Sequence, residues 1–216
     1  DVLSASHMDN KIAWYENDGS ESFTSHTITT NADYAEDVYA VDLDSDGDVD
    51  VLSATGNPNA DTDKITWYEN NGSESFTAHD IISLVGANSV YTADVDGDGD
   101  IDVLSASLGD DKIAWYENNG SESFTAHTIT TNADNADDVY AVDLDGDGDV
   151  DVLSASHDDD KIAWYENNGS ESFTAHTIAT DADRAKSVYA VDVDNDGDVD
   201  VLSASHNDDK IAWYEN

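Results

Sequence analysis

Four stretches of the sequence follow the pattern D-x-D-x-D-G-D-x-D. The first supplies Asp42, Asp44, Asp46, Asp48 and Asp50, and the second Asp94, Asp96, Asp98, Asp100 and Asp102. Asp143, Asp145, Asp147, Asp149 and Asp151 form the third, and Asp192, Asp194, Asp196, Asp198 and Asp200 the fourth. Alternate residues of a tightly curled loop aim their carboxylates inwards, and the glycine at the sixth place permits the sharp turn. Side-chain oxygens at places one, three, five and nine, with a backbone carbonyl from place seven, would then surround a cation. Two carboxylates about 4 Å apart repel by roughly 4 kcal/mol at an effective dielectric near 20, so converging ones need a positive ion or must spread apart. Oxygen ligands in flexible geometry suit Ca²⁺, whereas Mg²⁺ demands a stricter octahedron and retains waters. About four calcium sites are expected, one per loop.

An EF-hand opens with the same residues, but its twelfth place is a bidentate Glu that leads into a helix. Here the twelfth places are Ser53, Ser105, Ser154 and Ser203, and the loops run into Val-Leu-Ser-Ala, a strand sequence. The acidic loops therefore connect strands.

The elements that position these loops are repeated. Trp14, Trp67, Trp115, Trp164 and Trp213 head copies of Trp-Tyr-Glu-Asn at spacings of 53, 48, 49 and 49 residues. Each unit of about 49 residues reads as four short strands, because β-rich runs alternate with turn clusters and no segment shows a helical period. In the first full unit these are strand A (38–42), B (51–54), C (64–69) and D (76–82). Asn71-Gly72, Asn119-Gly120 and Asn168-Gly169 predict tight hairpin turns between C and D. In strand C, Ile12 and Trp14 fall on one face, Ala13 and Tyr15 on the other, so both faces are apolar as in stacked sheets.

Four-stranded antiparallel units recurring every 40 to 50 residues indicate an all-β fold, a β-propeller. A single propeller domain over 1–216 is expected, with a partial first blade at 1–30, blades at 37–82, 89–130 and 138–179, and a partial fifth at 187–216. Four blades closed by pairing of the two chain ends, or a fragment of a longer array, are the alternatives. The incomplete terminal blades offer surfaces for self-association.

The flanked loop, Val-Asp-Leu-Asp-Ser-Asp-Gly-Asp-Val-Asp-Val-Leu at 41–52, resembles the FG-GAP repeat, also called the VCBS repeat. That family includes the integrin α-subunit propeller and many secreted bacterial proteins. The resemblance covers nearly the whole chain and implies a propeller with ions on one rim. The Phe-Gly and Gly-Ala-Pro pieces that name the family are missing, with Ser-Ala-Ser or Ser-Ala-Thr in place of the latter. An integrin-type ligand site is thus unsupported.

Fifty acidic residues against seven basic ones give a formal charge of −43, which excludes nucleic acid and anionic membranes as partners. With no cysteine, neither disulfides nor thiolate metal sites are available. No apolar run approaches a membrane span. No nucleophile, base and orienter stand apart from the repeat, so an enzyme is not expected. The A–B and C–D loops are nearly invariant among the units, whereas the B–C loops (Gly56 to Asp63 among them) and the D–A loops vary. Variable loops on a constant scaffold are how binding surfaces are deployed, so that rim is the candidate ligand face. His26, His79, His127 and His176 read as plain surface residues of strand D. His7, His157 and His206 adjoin Asp residues in the B–C loops, where a second metal site would form if there is one. The tryptophans read as core. The functional expectation is a secreted or cell-surface, calcium-stabilised propeller for adhesion or recognition of carbohydrate or protein. A propeller domain of a polysaccharide-degrading enzyme and an architectural repeat of a surface layer or filament are the alternatives.

Overall fold

The computed structural model describes residues 1–56 and 63–216. Six residues of the Gly56 to Asp63 loop, 57–62, lie outside the described residues. Among the described residues, eighteen strands form five antiparallel sheets of three, four, four, four and three strands. The first sheet is β1 (Val2–Ser6), β2 (Lys11–Asn17) and β3 (Phe23–Thr29); the second is β4 (Ala35–Val41), β5 (Asp50–Thr55), β6 (Lys64–Asn70) and β7 (Phe76–Ser83). The third runs from β8 (Ala87–Ala93) through β9 (Asp102–Ser107) and β10 (Lys112–Asn118) to β11 (Phe124–Thr130). The fourth comprises β12 (Ala136–Val142), β13 (Asp151–Ser156), β14 (Lys161–Asn167) and β15 (Phe173–Ala179). The last is β16 (Ala185–Val191), β17 (Asp200–Ser205) and β18 (Lys210–Tyr214). Each sheet keeps its strands in sequence order, the topology of a propeller blade, and the first and last sheets have three strands each.

The chain divides into two compact units, Asp1–Val90 and Tyr91–Asn216, with the boundary inside β8. In the first unit, Ile12, Leu3 and Ala5 of the first sheet pack against Ala35, Val51 and Tyr68 of the second. In the second unit, Ile113 and Trp115 face Ala163 and Tyr165 one sheet later, as the two apolar faces of strand C require. The same layer recurs between the fourth and fifth sheets, where Ile162 and Trp164 pack with Val188, Val201 and Tyr214. Strands β5, β9 and β13 are buried at every residue, each being interior to its sheet. A buried hydroxyl costs free energy unless it is paired, and strand C supplies partners for the central serines: Ser105 Oγ lies 3.0 Å from the Tyr116 hydroxyl and Ser154 Oγ 3.2 Å from that of Tyr165, whereas the Ser107 and Ser156 hydroxyls at the strand ends are buried without a partner among the described residues. Trp67 and Trp115 are core residues, whereas Trp213 on the last sheet is 45% exposed.

Two boundaries differ from the sequence reading. Strand A begins at Ala35 rather than Val38, because the ladder continues past a bulge between Ala35 and Asp37, repeated at Ala136/Asp138 and Ala185/Ser187. The C–D hairpins are five-residue loops, not two-residue turns: Asn70 pairs with Phe76, and the Asn71 N–H donates to the Ser75 carbonyl at 3.2 Å. Gly72 and Glu74 both take left-handed backbone there, at φ of 73° and 58°.

Candidate metal centre

Each acidic loop joins strand A to strand B, and its curl is built by its own carboxylates. Asp42 Oδ2 accepts the Gly47 N–H at 3.1 Å, Asp44 Oδ1 that of Asp46 at 3.1 Å, and Asp46 Oδ1 that of Asp48 at 2.9 Å. The other three loops repeat these bonds. Gly47, Gly99, Gly148 and Gly197 at the sixth place have φ between 96° and 106°, a conformation that favours glycine.

The place-nine carboxylate ties the loop to the sheet. Asp50 accepts the Leu43 N–H at 3.2 Å on Oδ2 and the Asn70 N–H, from the end of strand C, at 2.7 Å on Oδ1. Asp102, Asp151 and Asp200 repeat both bonds, the latter with Asn118, Asn167 and Asn216. Asp50, Asp102 and Asp151 are 0% exposed. Burial pushes their carboxyls above the usual range, that of Asp102 to about 7 against the lowering effect of its two N–H donors. Burial also raises Asp44 and Asp96. Asp200, buried like the others, behaves oppositely: the Asn216 N–H it accepts is the largest influence and lowers its pKa.

Places one, three and nine come together. Oxygens of Asp42, Asp44 and Asp50 lie within 4.8 Å of one another, as do those of Asp94, Asp96 and Asp102, of Asp143, Asp145 and Asp151, and of Asp192, Asp194 and Asp200. Each trio could hold a metal ion. Places five and seven are not drawn into it: Asp46, Asp98, Asp147 and Asp196 bond the place-seven N–H groups. Asp48, Asp100 and Asp149 press instead on the hairpin glycines, where a Cβ on Gly72, Gly120 or Gly169 would come within 2.5 Å of a carboxylate oxygen. Asp198 is exposed. The A–B and C–D loops thus share one rim, as antiparallel connectivity requires.

The trios fit a cation on two grounds. Asp42 Oδ1 and Asp94 Oδ1 are buried without a hydrogen-bond donor, an arrangement that costs free energy unless something positive faces them. Among the described residues, no Lys, Arg or His forms an ion pair with any loop carboxylate.

Strand D corrects the reading of its histidines as plain surface. His127 stacks on Trp115, its cross-strand partner, at 4.4 Å between ring centres, and its Nε2 lies 2.8 Å from Glu117 Oε2. His26, His79 and His176 make the same pair of contacts with Trp14 and Glu16, Trp67 and Glu69, and Trp164 and Glu166. In the B–C loops, His7 bonds Glu36 at 2.7 Å and abuts Tyr34, and His157 lies beside Asp137 and Asp158. No metal-binding trio forms there among the described residues. The acidic spacing does not point to the strand-C asparagines that hold these loops, although Asn recurs in that place in all five units.

The FG-GAP-like repeat model matches residues 1–53, 42–105, 94–154 and 143–203. Among solved structures the chain is similar to the V. cholerae biofilm matrix protein Bap1, at 17% identity and a TM-score of 0.53, over 97% of this chain and 35% of that one. It is also similar to a protein from Lactobacillus plantarum, at 10% identity and a TM-score of 0.60, over 98% of this chain and 64% of that one. The chain spans about a third of the first and just under two thirds of the second, and identities this low speak for the fold alone. No curated protein sequence matches. With four successive matches that together reach from residue 1 to residue 203, the chain belongs to the family of FG-GAP-like repeats.

Proposed function

We propose that the chain is a calcium-stabilised recognition module of an extracellular or cell-surface protein, not an enzyme, and that its partner is a carbohydrate or another extracellular protein. The observation that carries this reading is the buried place-nine carboxylate beside two further carboxylates, with no cationic side chain among the described residues paired to them. An all-oxygen trio with room for main-chain carbonyls and water suits a hard cation of flexible coordination, hence Ca²⁺ over Mg²⁺. Calcium here has a structural role. It closes loops that would otherwise repel themselves, and it does so in a chain without disulfides.

The opposite rim is the recognition surface. There the B–C and D–A loops, which differ among units, are joined backbone to backbone, as in the Ala32 N–H to Asn10 carbonyl bond at 3.0 Å and the His157 N–H to Asn135 carbonyl bond at 3.0 Å. The fold likeness to a biofilm matrix protein supports an extracellular setting. No helix among the described residues is long and apolar enough to cross a membrane. Exposed apolar residues on the terminal sheets, including Val2, Phe23, Ile211 and Trp213, supply the surface for self-association.

Thermal melts with calcium and with a chelator test the structural role. One site at a hundredfold excess over Kd contributes about 2.7 kcal/mol, or roughly 5–10 °C in a domain of this size. Chelation is therefore expected to lower Tm by about 10 °C or more when several sites empty, and an unchanged Tm would refute the proposal. A glycan array separates carbohydrate from protein recognition.

A further inference from the structure

The asparagine that ends strand C does more than fix its own loop. Asn167 is 2% exposed. Its backbone N–H donates to Asp151 Oδ1 at 2.8 Å, while its Nδ2 donates to the Val150 carbonyl of the same loop at 3.2 Å. The same Nδ2 also donates, at 3.2 Å, to the carbonyl of Val95, in the acidic loop of the preceding sheet. Val95 lies between the ligand candidates Asp94 and Asp96, and its N–H is held by Asp102, the third. Asn216 repeats the arrangement one sheet later, bonding Asp200, Val199 and the Leu144 carbonyl, where Leu144 lies between Asp143 and Asp145. One side-chain amide thus spans two cation loops, and its own backbone grips a ligand carboxylate of the second.

The geometry points to Asn167 and Asn216 as positioning residues that couple neighbouring cation sites, so that an ion in the 94–102 loop raises the affinity of the 143–151 loop, and an ion there that of the 192–200 loop. The inference rests on the cation-binding reading of the trios. Its physical basis is that ordering the place-two peptide in one loop presets the carbonyl that holds the asparagine of the next. That asparagine then arrives with its N–H already aimed at the place-nine carboxylate. The second ion consequently orders less of the protein than the first.

Electrostatics works the other way. Asp94 and Asp96 line a small polar cavity of about 60 Å³ together with Asp149 and Glu171 of the next sheet. An ion in the first loop therefore weakens the negative potential that draws an ion to the second. This opposing effect is screened by salt, with a Debye length of about 8 Å at 0.15 M and about 3 Å at 1 M. Coupling through hydrogen bonds should survive 1 M salt, whereas Coulombic coupling has the opposite sign and fades.

The test titrates the whole chain with calcium and follows the Gly148 amide, which donates to Asp143 Oδ2, by NMR at 0.15 M and 1 M NaCl. In the parent, crippling the preceding loop with D94N/D96N is expected to weaken binding at the 143–151 loop at least fivefold, within the usual range of coupling free energies. In the Asn167→Leu background, which keeps the backbone N–H and loses the amide, the same double substitution should cost less than twofold. Should N167L fail to fold, Asn216→Leu with D143N/D145N, read at the Gly197 amide, asks the same question one sheet later. An affinity indifferent to the neighbouring loop, or an equal drop with and without the asparagine, overturns the coupling and leaves the cation reading intact. No calcium response in the parent overturns both.

Discussion

At the scale of single residues, the place-nine aspartate decides how the ion-free protein responds to pH. Burial raises the Asp102 carboxyl to about 7, against a value near 3.9 in an unfolded chain. A proton therefore binds the folded state more tightly than the unfolded one, so its stabilising effect is full below about pH 4 and is lost as pH rises towards 7. Without metal, stability should climb by up to a few kcal/mol as pH falls from 8 to 5, and Asp102→Asn should flatten that climb. Chelator-treated melts at several pH values check it, and an equally steep climb in D102N would refute the assignment to this carboxyl. With calcium the trend reverses, because the ion needs the charged form that the proton removes. Spacing alone points to the loops, and the carboxylates at places one, three and nine come together in each of them. It could not reveal that Asp46 turns back to bond its own backbone, since a short carboxylate chooses between cation and nearby N–H by local geometry that alternation does not encode.

Between elements, a carboxylate on strand A joins the fourth sheet to the fifth, and another the second to the third. Asp138 Oδ1 accepts its neighbour Val139 N–H at 3.0 Å, and Oδ2 accepts the Val188 N–H of the following sheet at 2.9 Å. Asp37 does the same for Val38 and Val90 in the first unit. Beside this contact, Tyr140 stacks between Tyr91 and Tyr189 with ring centres 4.7 and 4.9 Å away. Removing the acceptor in Asp138→Ala leaves the Val188 N–H unsatisfied at a part-buried layer, so a loss of about 1–3 kcal/mol is expected. Urea denaturation with calcium saturating reads that loss, and a change below about 0.5 kcal/mol would show that the bond contributes little. The strands themselves were legible from β-rich runs between turn clusters, and the stacking from the two apolar faces of strand C. The bulge at Glu36 was not, because an extra residue in a ladder changes neither composition nor alternation enough to be seen. The Asn-Gly pairs signalled hairpins correctly but mistook their length, since Asn71 spends its side chain on the Ser73 N–H and Gly72 donates to Asn70, widening the turn.

For the molecule as a whole, the loops contribute only part of an extreme charge. Four dications would add eight positive charges and bring the formal net charge from −43 only to −35, so most self-repulsion persists after every site is filled. Two separable stabilisations follow. Simple salt should raise Tm in both the chelated and the calcium-loaded protein, because shrinking the Debye length from about 30 Å at 0.01 M to about 8 Å at 0.15 M screens charges spread over the whole surface. Calcium at equal ionic strength should add an increment that NaCl cannot reproduce, because converging carboxylates a few ångströms apart lie inside the screening length at either salt concentration. The two are resolved by melting the chelated protein across NaCl concentrations and repeating the series with millimolar calcium. Parallel curves separated by a constant offset are expected. If NaCl alone closed the gap, the acidic loops would be ordinary contributors to the general field, with no bound ion needed to explain their stability.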